Sequence, residues 1–334
     1  MHKVLISKEI PSIAENLLKS AGFEVVTLNS DVSLSPVNNS YLKKELANTD
    51  AIISLLSDQI DREFLDHAPK LKVISNFAVG VNNLDLKLLA DHNILVGHTP
   101  GVLTEATAEL TLGLMLMTSR NLYRASLDVY EGRWKGFEPL GHLGPSLFGK
   151  KFGILGLGRI GIKLAEILKF GFEGNISTIS RGEQKDRTLM STVNPAINLQ
   201  IKNHDDFFSN LDFLILTAPL NAETKNWLDA ERLQKLPEKC IVINTGRGEL
   251  VDQEALYQTL KNKKIRAFGT DVTTPEPLPL NHPLLTLSNY TVLPHIGSAS
   301  IEARTKMAEI CAKNIILGLK EKKVLHSPIP EQQI

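Results

Sequence analysis

The sequence predicts an α/β protein with two doubly wound parallel-sheet domains, and three observations carry the prediction. Short apolar runs alternate with longer amphipathic ones from end to end, the pattern of parallel strands joined by crossover helices. A glycine-rich turn stands in mid-chain between such a run and a helix. A long apolar stretch interrupts the alternation after Thr99-Pro100-Gly101, a turn signal that marks a boundary. At 334 residues the chain also exceeds what one ordinary core supports.

Taken in order, residues 4–7, 51–55 and 73–75 read as strands, with helices over 13–21 and 85–92. Residues 104–122 carry helix formers on every face, so this helix should be buried between domains or subunits. Strands follow at 152–155, 176–179, 213–217, 241–244 and 267–270, with helices at 161–170 and 253–261. The chain returns near Pro294, and residues 301–319 form a final long helix. One domain is therefore built from both chain ends, 1–101 with 296–334, and a second, 102–295, is inserted into it.

Composition narrows the function. Lys+Arg and Asp+Glu both number 37, so no net charge recommends a nucleic-acid or membrane surface, and the partner should be small. The amino terminus lacks the basic, apolar and small-residue succession of a signal peptide, and no apolar stretch approaches a membrane span. Cys240 and Cys311 read as buried free thiols of a reducing compartment, which places the protein in the cytoplasm.

The sequence from Phe152 runs strand, Gly156-Leu-Gly158-Arg159-Ile160-Gly161, then helix. Gly156 permits the tight turn, Gly158 lets the backbone approach a pyrophosphate, and Gly161 lets helix pack on strand. The helix amino terminus then offers N–H groups and a positive dipole end to the phosphates. This is a Rossmann dinucleotide cradle, and its position makes the nucleotide-binding domain the inserted one. About twenty residues on, where an acid normally accepts the ribose hydroxyl of NAD, stand Ser180 and Arg181, with Lys185 and Arg187 nearby. A hydroxyl and a guanidinium suit a 2′-phosphate, so NADPH should be preferred and NADH possible; the plainer alternative is that Arg181 is a solvated loop residue.

Three further strand ends carry polar residues: Asn244-Thr-Gly-Arg247, Thr270-Asp271 through Glu276-Pro277, and Pro294-His295-Ile-Gly297. Reducing a 2-oxo acid needs a hydride, a proton for the developing alkoxide and a cation for the carboxylate. His295 supplies the proton, Glu276 orients the ring and favours the imidazolium, and Arg247 clamps a carboxylate bidentately. Singly they read as a loop cap, a surface carboxylate and a turn anchor. Three complementary roles at successive strand ends, downstream of a dinucleotide cradle, point to a site.

These motifs, in this order and over essentially the whole chain, resemble the D-2-hydroxyacid dehydrogenase family, and within it most the glyoxylate/hydroxypyruvate reductases. The resemblance implies a flavodoxin-like substrate domain around the Rossmann insert, with Arg247, Glu276 and His295 catalytic. It also implies that the backbone N–H groups of Val79 and Gly80 grip the substrate carboxylate beside Arg247 and His295. Thr104 and Asp271 would line the nicotinamide, Pro219 and Thr245 the cofactor path, with Gly297 beside them. Family members commonly dimerise through the inserted domain, here around residues 104–143, where Trp134 and Phe137 are candidates for closing a partner's pocket or for the core. No metal enters this reading. The alternatives are a phosphoglycerate dehydrogenase, for whose added regulatory domain the sequence leaves no room, another member of the family, or a non-catalytic NAD(P)-sensing module. A sensor would need neither His295 nor Glu276. A formate dehydrogenase would carry an amide in place of Glu276.

Overall fold

The computed structural model describes residues 1–28 and 39–334. The chain divides into two compact units, Met1–Leu103 with Ala299–Ile334, and Thr104–Ser298.

The first unit holds strands β1 (Lys3–Ile6), β2 (Glu24–Thr27), β3 (Ala51–Ser54), β4 (Val73–Asn76) and β5 (Leu95–Gly97). They form one parallel sheet in the order β2-β1-β3-β4-β5. Helices α1 (Ile13–Ser20), α2 (Ser40–Leu46), α3 (Arg62–Asp66) and α4 (Leu86–Asp91) connect them. Short aspartates start two of these helices: Asp61 accepts from Phe64 N–H and Asp85 from Leu88 N–H. The core joins Leu5, Ile52, Ile74 and Val96 of the strands to Leu42, Leu46, Phe64 and Leu89 of the helices. The unit is completed by the last helix of the chain, α12 (Ile301–Glu321), which packs on α1, β3, β4 and β5. Gly318 permits that approach, because a Cβ there would stand 2.7 Å from the Val73 side chain.

The second unit opens with α5 (Thr104–Ser119) and α6 (Leu122–Tyr130). Then come β6 (Lys151–Leu155), α7 (Arg159–Phe172), β7 (Asn175–Ile179), α8 (Glu183–Thr192), β8 (Gln200–Lys202), α9 (His204–Phe208) and β9 (Phe213–Leu216). It closes with α10 (Ala230–Lys235), β10 (Ile241–Asn244), α11 (Gln253–Lys261), β11 (Ala267–Thr270) and β12 (Tyr290–Val292). All seven strands are parallel, in the order β12-β11-β10-β9-β6-β7-β8. Helices cover both faces, so the central strands are apolar without alternation. Phe213, Ile215, Ile241 and Ile243 face Leu114, Met115, Leu164 and Leu168, whereas Leu214, Leu216 and Val242 face Phe207, Leu233, Leu256 and Leu260. Together the sheets give the doubly wound α/β class expected from the alternating pattern.

Two expectations need correction. The apolar stretch 104–122 is not one helix: Asn121 adopts a left-handed backbone (φ 53°) and divides it into α5 and α6. Thr104, Thr107, Ala108, Thr111, Leu114, Met115 and Thr118 form one buried stripe at helical spacing, and Leu112 and Leu116 are only partly covered. Trp134 takes no core role in its unit, being 65% exposed.

Candidate active site

In a parallel sheet every strand ends at the same edge, and ligands collect there. The second unit sets its polar residues directly beyond six such ends. Along the sheet they run His295 (β12), Asp271 and Glu276 (β11), Thr245 and Arg247 (β10), Pro219 (β9), Gly156 (β6), then Ser180 and Arg181 (β7). At about 4.8 Å per strand, the five steps span roughly 24 Å. His295 and Glu276 thus lie at one end of a row whose other end is the glycine turn and the β7 loop.

At the first end, His295 Nδ1 and Glu276 Oε1 are 2.5 Å apart. His295 has a left-handed backbone (φ 51°), and its N–H donates to the Asp271 carbonyl at 2.8 Å, so the ring is presented from a fixed peptide. Burial would raise the Glu276 carboxyl, but the His295 bond and charge, the Thr273 N–H and Arg247 outweigh it and hold it below its ordinary range. Glu276 is therefore ionised and can accept from the imidazole Nδ1. Since Nδ1 faces Glu276, Nε2 is the atom from which a proton can be delivered.

Arg247 sits in the turn after β10. Asn244 Nδ2 donates to its carbonyl at 2.9 Å, and its own Nη1 donates to the Gly246 carbonyl at 2.7 Å. The next residue must be glycine, because a Cβ at Gly248 would strike the Thr273 carbonyl. That close approach brings the Arg247 turn against the loop carrying Glu276. Burial lowers the Arg247 pKa from its ordinary value, opposed by Glu276, Glu249 and Asp271. Asp271 is 2% exposed; burial raises its carboxyl against the pull of His295, the Gly297 N–H donates to it, and its Oδ1 has no hydrogen-bond partner. A buried acceptor or acid left unmatched is costly, so it invites a donor from a ligand. Nearby, Thr245 and Thr111 hydroxyls are 2.9 Å apart, and Thr104 is buried at the start of α5.

At the other end, Gly156 has φ 95°, and a Cβ there would collide with Ala218. A Cβ at Gly161 would strike the Gly156 carbonyl, whereas Gly158 faces open space. The amino terminus of α7, at Gly158, Arg159 and Ile160, has no side-chain cap. The turn therefore fits a pyrophosphate by close packing at two glycines and room at the third. The orphaned Asp271 Oδ1 fits a carboxamide donor at the other end.

One residue escaped the sequence reading. The acid missing from the end of β7 is supplied by α8: Asp186 accepts from Ser180 Oγ at 2.5 Å and from Arg181 N–H at 3.0 Å. Those two bonds lower the Asp186 carboxyl. Arg187, expected near the cofactor, is paired instead with Glu183. A helix-start acid spaced to reach back across Gly182 was the available signal. Val79 and Gly80 lie in the first unit, in the loop after β4.

Residues 112–297, more than half of the chain, match the model of the D-isomer specific 2-hydroxyacid dehydrogenase NAD binding domain. The chain belongs to this dehydrogenase family. Similar members include a glyoxylate reductase of Thermofilum pendens, 39% identical over 319 residues, with 95% of this chain and 91% of that one covered. The glyoxylate reductase/hydroxypyruvate reductase of Homo sapiens is 37% identical, with 95% of each chain covered. Among solved structures, a Thermus thermophilus protein superposes with a TM-score of 0.88 at 34% identity, covering 98% of this chain and all of that one. An NADPH-dependent glyoxylate/hydroxypyruvate reductase of Sinorhizobium meliloti, in complex with NADP and malonate, gives 0.82 at 28% identity, over 99% and 98% of the chains. The dehydrogenase thus carries the family's nicotinamide-dinucleotide domain in its second unit. Among its described residues no helix is long and apolar enough to cross a membrane.

Proposed function

We propose that this dehydrogenase reduces glyoxylate or hydroxypyruvate to the D-2-hydroxy acid. The observation that carries the reading is the His295–Glu276 pair with Arg247, set at one end of the row whose other end is the glycine turn. Gly156, Gly158, Arg159, Ile160 and Gly161 would hold the pyrophosphate of a bound NAD(P)H, Pro219, Thr245 and Gly297 would line its path, and Thr104 and Asp271 would line the nicotinamide, which would supply the hydride. His295 delivers its proton from Nε2 to the developing alkoxide, and Glu276 steadies the imidazolium. Arg247 holds the substrate carboxylate through its planar fork. We assign the N–H groups of Val79 and Gly80 to carboxylate binding as well. The names of the similar reductases support this substrate class. Initial rates with glyoxylate, hydroxypyruvate, pyruvate and phosphohydroxypyruvate test it. A clear preference for phosphohydroxypyruvate would replace it with phosphoglycerate dehydrogenase chemistry, and no turnover of any would favour a sensor.

The Glu276 contribution has its own test. Glu276→Gln removes the carboxylate charge that His295 Nδ1 faces. The alkaline limb of the reductive pH–rate profile should move down by about one pH unit. An unmoved profile would take Glu276 out of its role.

The β7 loop supports a preference for NADPH over NADH. Ser180 Oγ is committed to Asp186 and Arg187 to Glu183, which leaves Arg181 as the main cation for a 2′-phosphate. An exposed arginine facing a nearby carboxylate gives a modest advantage, about tenfold in kcat/KM. Ser180→Asp with Arg181→Ile should reverse it, and Asp186→Asn should widen it. A wild type faster with NADH would refute the assignment.

A homodimer through the second unit is part of the same proposal. Leu122, Tyr123, Val129 and Tyr130 of α6, with Trp134, Phe137, Leu140 and Leu143 beyond it, are all exposed on that unit, and α6 buries no residue in it. Sedimentation equilibrium tests it. The buried, unbridged Cys240 and Cys311 accord with a cytoplasmic setting.

A further inference from the structure

We infer that His98 is a positioning residue for the 2-oxo acid, acting through the peptide plane that carries the Gly80 N–H. The inference rests on the assignment of the Val79 and Gly80 amides to the substrate carboxylate.

After β4 the chain runs Phe77-Ala78-Val79-Gly80-Val81, and three successive carbonyls of this loop are each tied from behind. Ala78 O accepts from Thr99 N–H at 2.9 Å, Val79 O from His98 Nδ1 at 3.0 Å, and Gly80 O from Asn76 Nδ2 at 2.9 Å. In a trans peptide the carbonyl of one residue and the N–H of the next point in opposite directions. Fixing Ala78 O therefore aims the Val79 N–H, and fixing Val79 O aims the Gly80 N–H, both away from the segment 98–99. Val79 itself is exposed, so this loop is accessible at the surface of its unit. Two adjacent N–H groups aimed together make the kind of concavity that binds a carboxylate.

Of the three ties, the one on Val79 O comes from an ionisable ring that is partly exposed. A carbonyl only accepts, so the proton of His98 is fixed on Nδ1. The ring stands on a rigid base. His98 N–H donates to His326 O at 3.1 Å, and His98 O accepts from Asn314 Nδ2 at 3.2 Å. Asn314, fully buried on α12, also donates to Ser75 Oγ and accepts from the N–H groups of Leu325 and His326. The loop that would receive the carboxylate is thus set by a chain of bonds reaching back to α12.

Oxamate, an unreactive analogue of a 2-oxo acid, serves as the probe, titrated into the NADPH-saturated enzyme and followed by amide NMR and calorimetry. In the wild type the Val79 and Gly80 amide signals should move with saturation. If they do not, the parent assignment of these amides fails. In His98→Leu the oxamate dissociation constant should rise about tenfold, and KM for glyoxylate with it. The kcat should stay within about threefold and NADPH affinity unchanged, a split that general loosening of the fold would not produce. His98→Asn, which places an amide donor near the position of Nδ1, should restore most of the affinity. Should the leucine variant fail to fold, His98→Gln carries the same test, because its longer side chain misplaces the donor. Moving amides in the wild type, with wild-type oxamate affinity in the substituted protein, would overturn the inference for His98 alone.

Discussion

Replacing His295 with alanine is expected to cost on the order of 10²–10⁴ in turnover, the usual share of general acid catalysis. The ring is held at Nδ1 by Glu276 and at its backbone by the Asp271 carbonyl, so its orientation is fixed before substrate arrives. Alanine removes the proton donor without touching the glycine turn at the far end of the sheet. NAD(P)H affinity should therefore stay within about twofold, and the deficit should appear in kcat. Stopped-flow reduction at saturating cofactor reads kcat, and a fluorescence titration with NAD(P)H reads the affinity. A loss of only a few-fold would place the proton on another group, and a parallel loss of cofactor affinity would make His295 structural.

Arg247→Lys is expected to raise KM and lower kcat together. Lysine keeps the charge but loses the fork, so the carboxylate is held at one point and can rotate away from the hydride path. Losing one charge-assisted bond is worth about 1.5–3 kcal/mol, which is roughly ten- to a hundredfold or more in kcat/KM. The turn itself should survive, since the Asn244 bond goes to the Arg247 carbonyl and not to its side chain. Uncharged substrate analogues such as glyoxylamide should lose less than glyoxylate does. Equal losses for both would mean that Arg247 shapes the turn without meeting the carboxylate.

The central strands were legible because burial on both faces makes each one a short apolar block. Among the described residues, the four strands that the sequence did not reveal are β2, β5, β8 and β12, which are the four edges of the two sheets. Edge strands are three or four residues long and mostly only half covered, as in Glu24–Thr27 and Tyr290–Val292, so their signal is too weak to separate from loop. The site divides in the same way. Arg247, Glu276 and His295 stand in local motifs whose chemistry is carried by residue type. Asp186 was hidden because its role depends on how α8 turns back after Gly182, and two of the carbonyl ties on the 77–81 loop come from His98 and Thr99, just beyond β5 and about twenty residues away. Helix 104–122 was misread because Asn121 gives no warning of its left-handed turn.

The chain leaves the first unit at Leu103 and returns to it at Ala299, so that unit is completed only after the whole second unit has been synthesised. Helix α12 covers β3, β4 and β5 and holds the Asn314 bonds, yet it is synthesised after the whole second unit. Until α12 is made, strands β3, β4 and β5 lack the helix that covers them. Closing a long unfolded connection is costly for a helix that must find a distant sheet; folding the insert first shortens that search. Truncation before residue 301 should accordingly leave a second unit that still binds NAD(P)H, attached to a first unit that exposes apolar surface and aggregates.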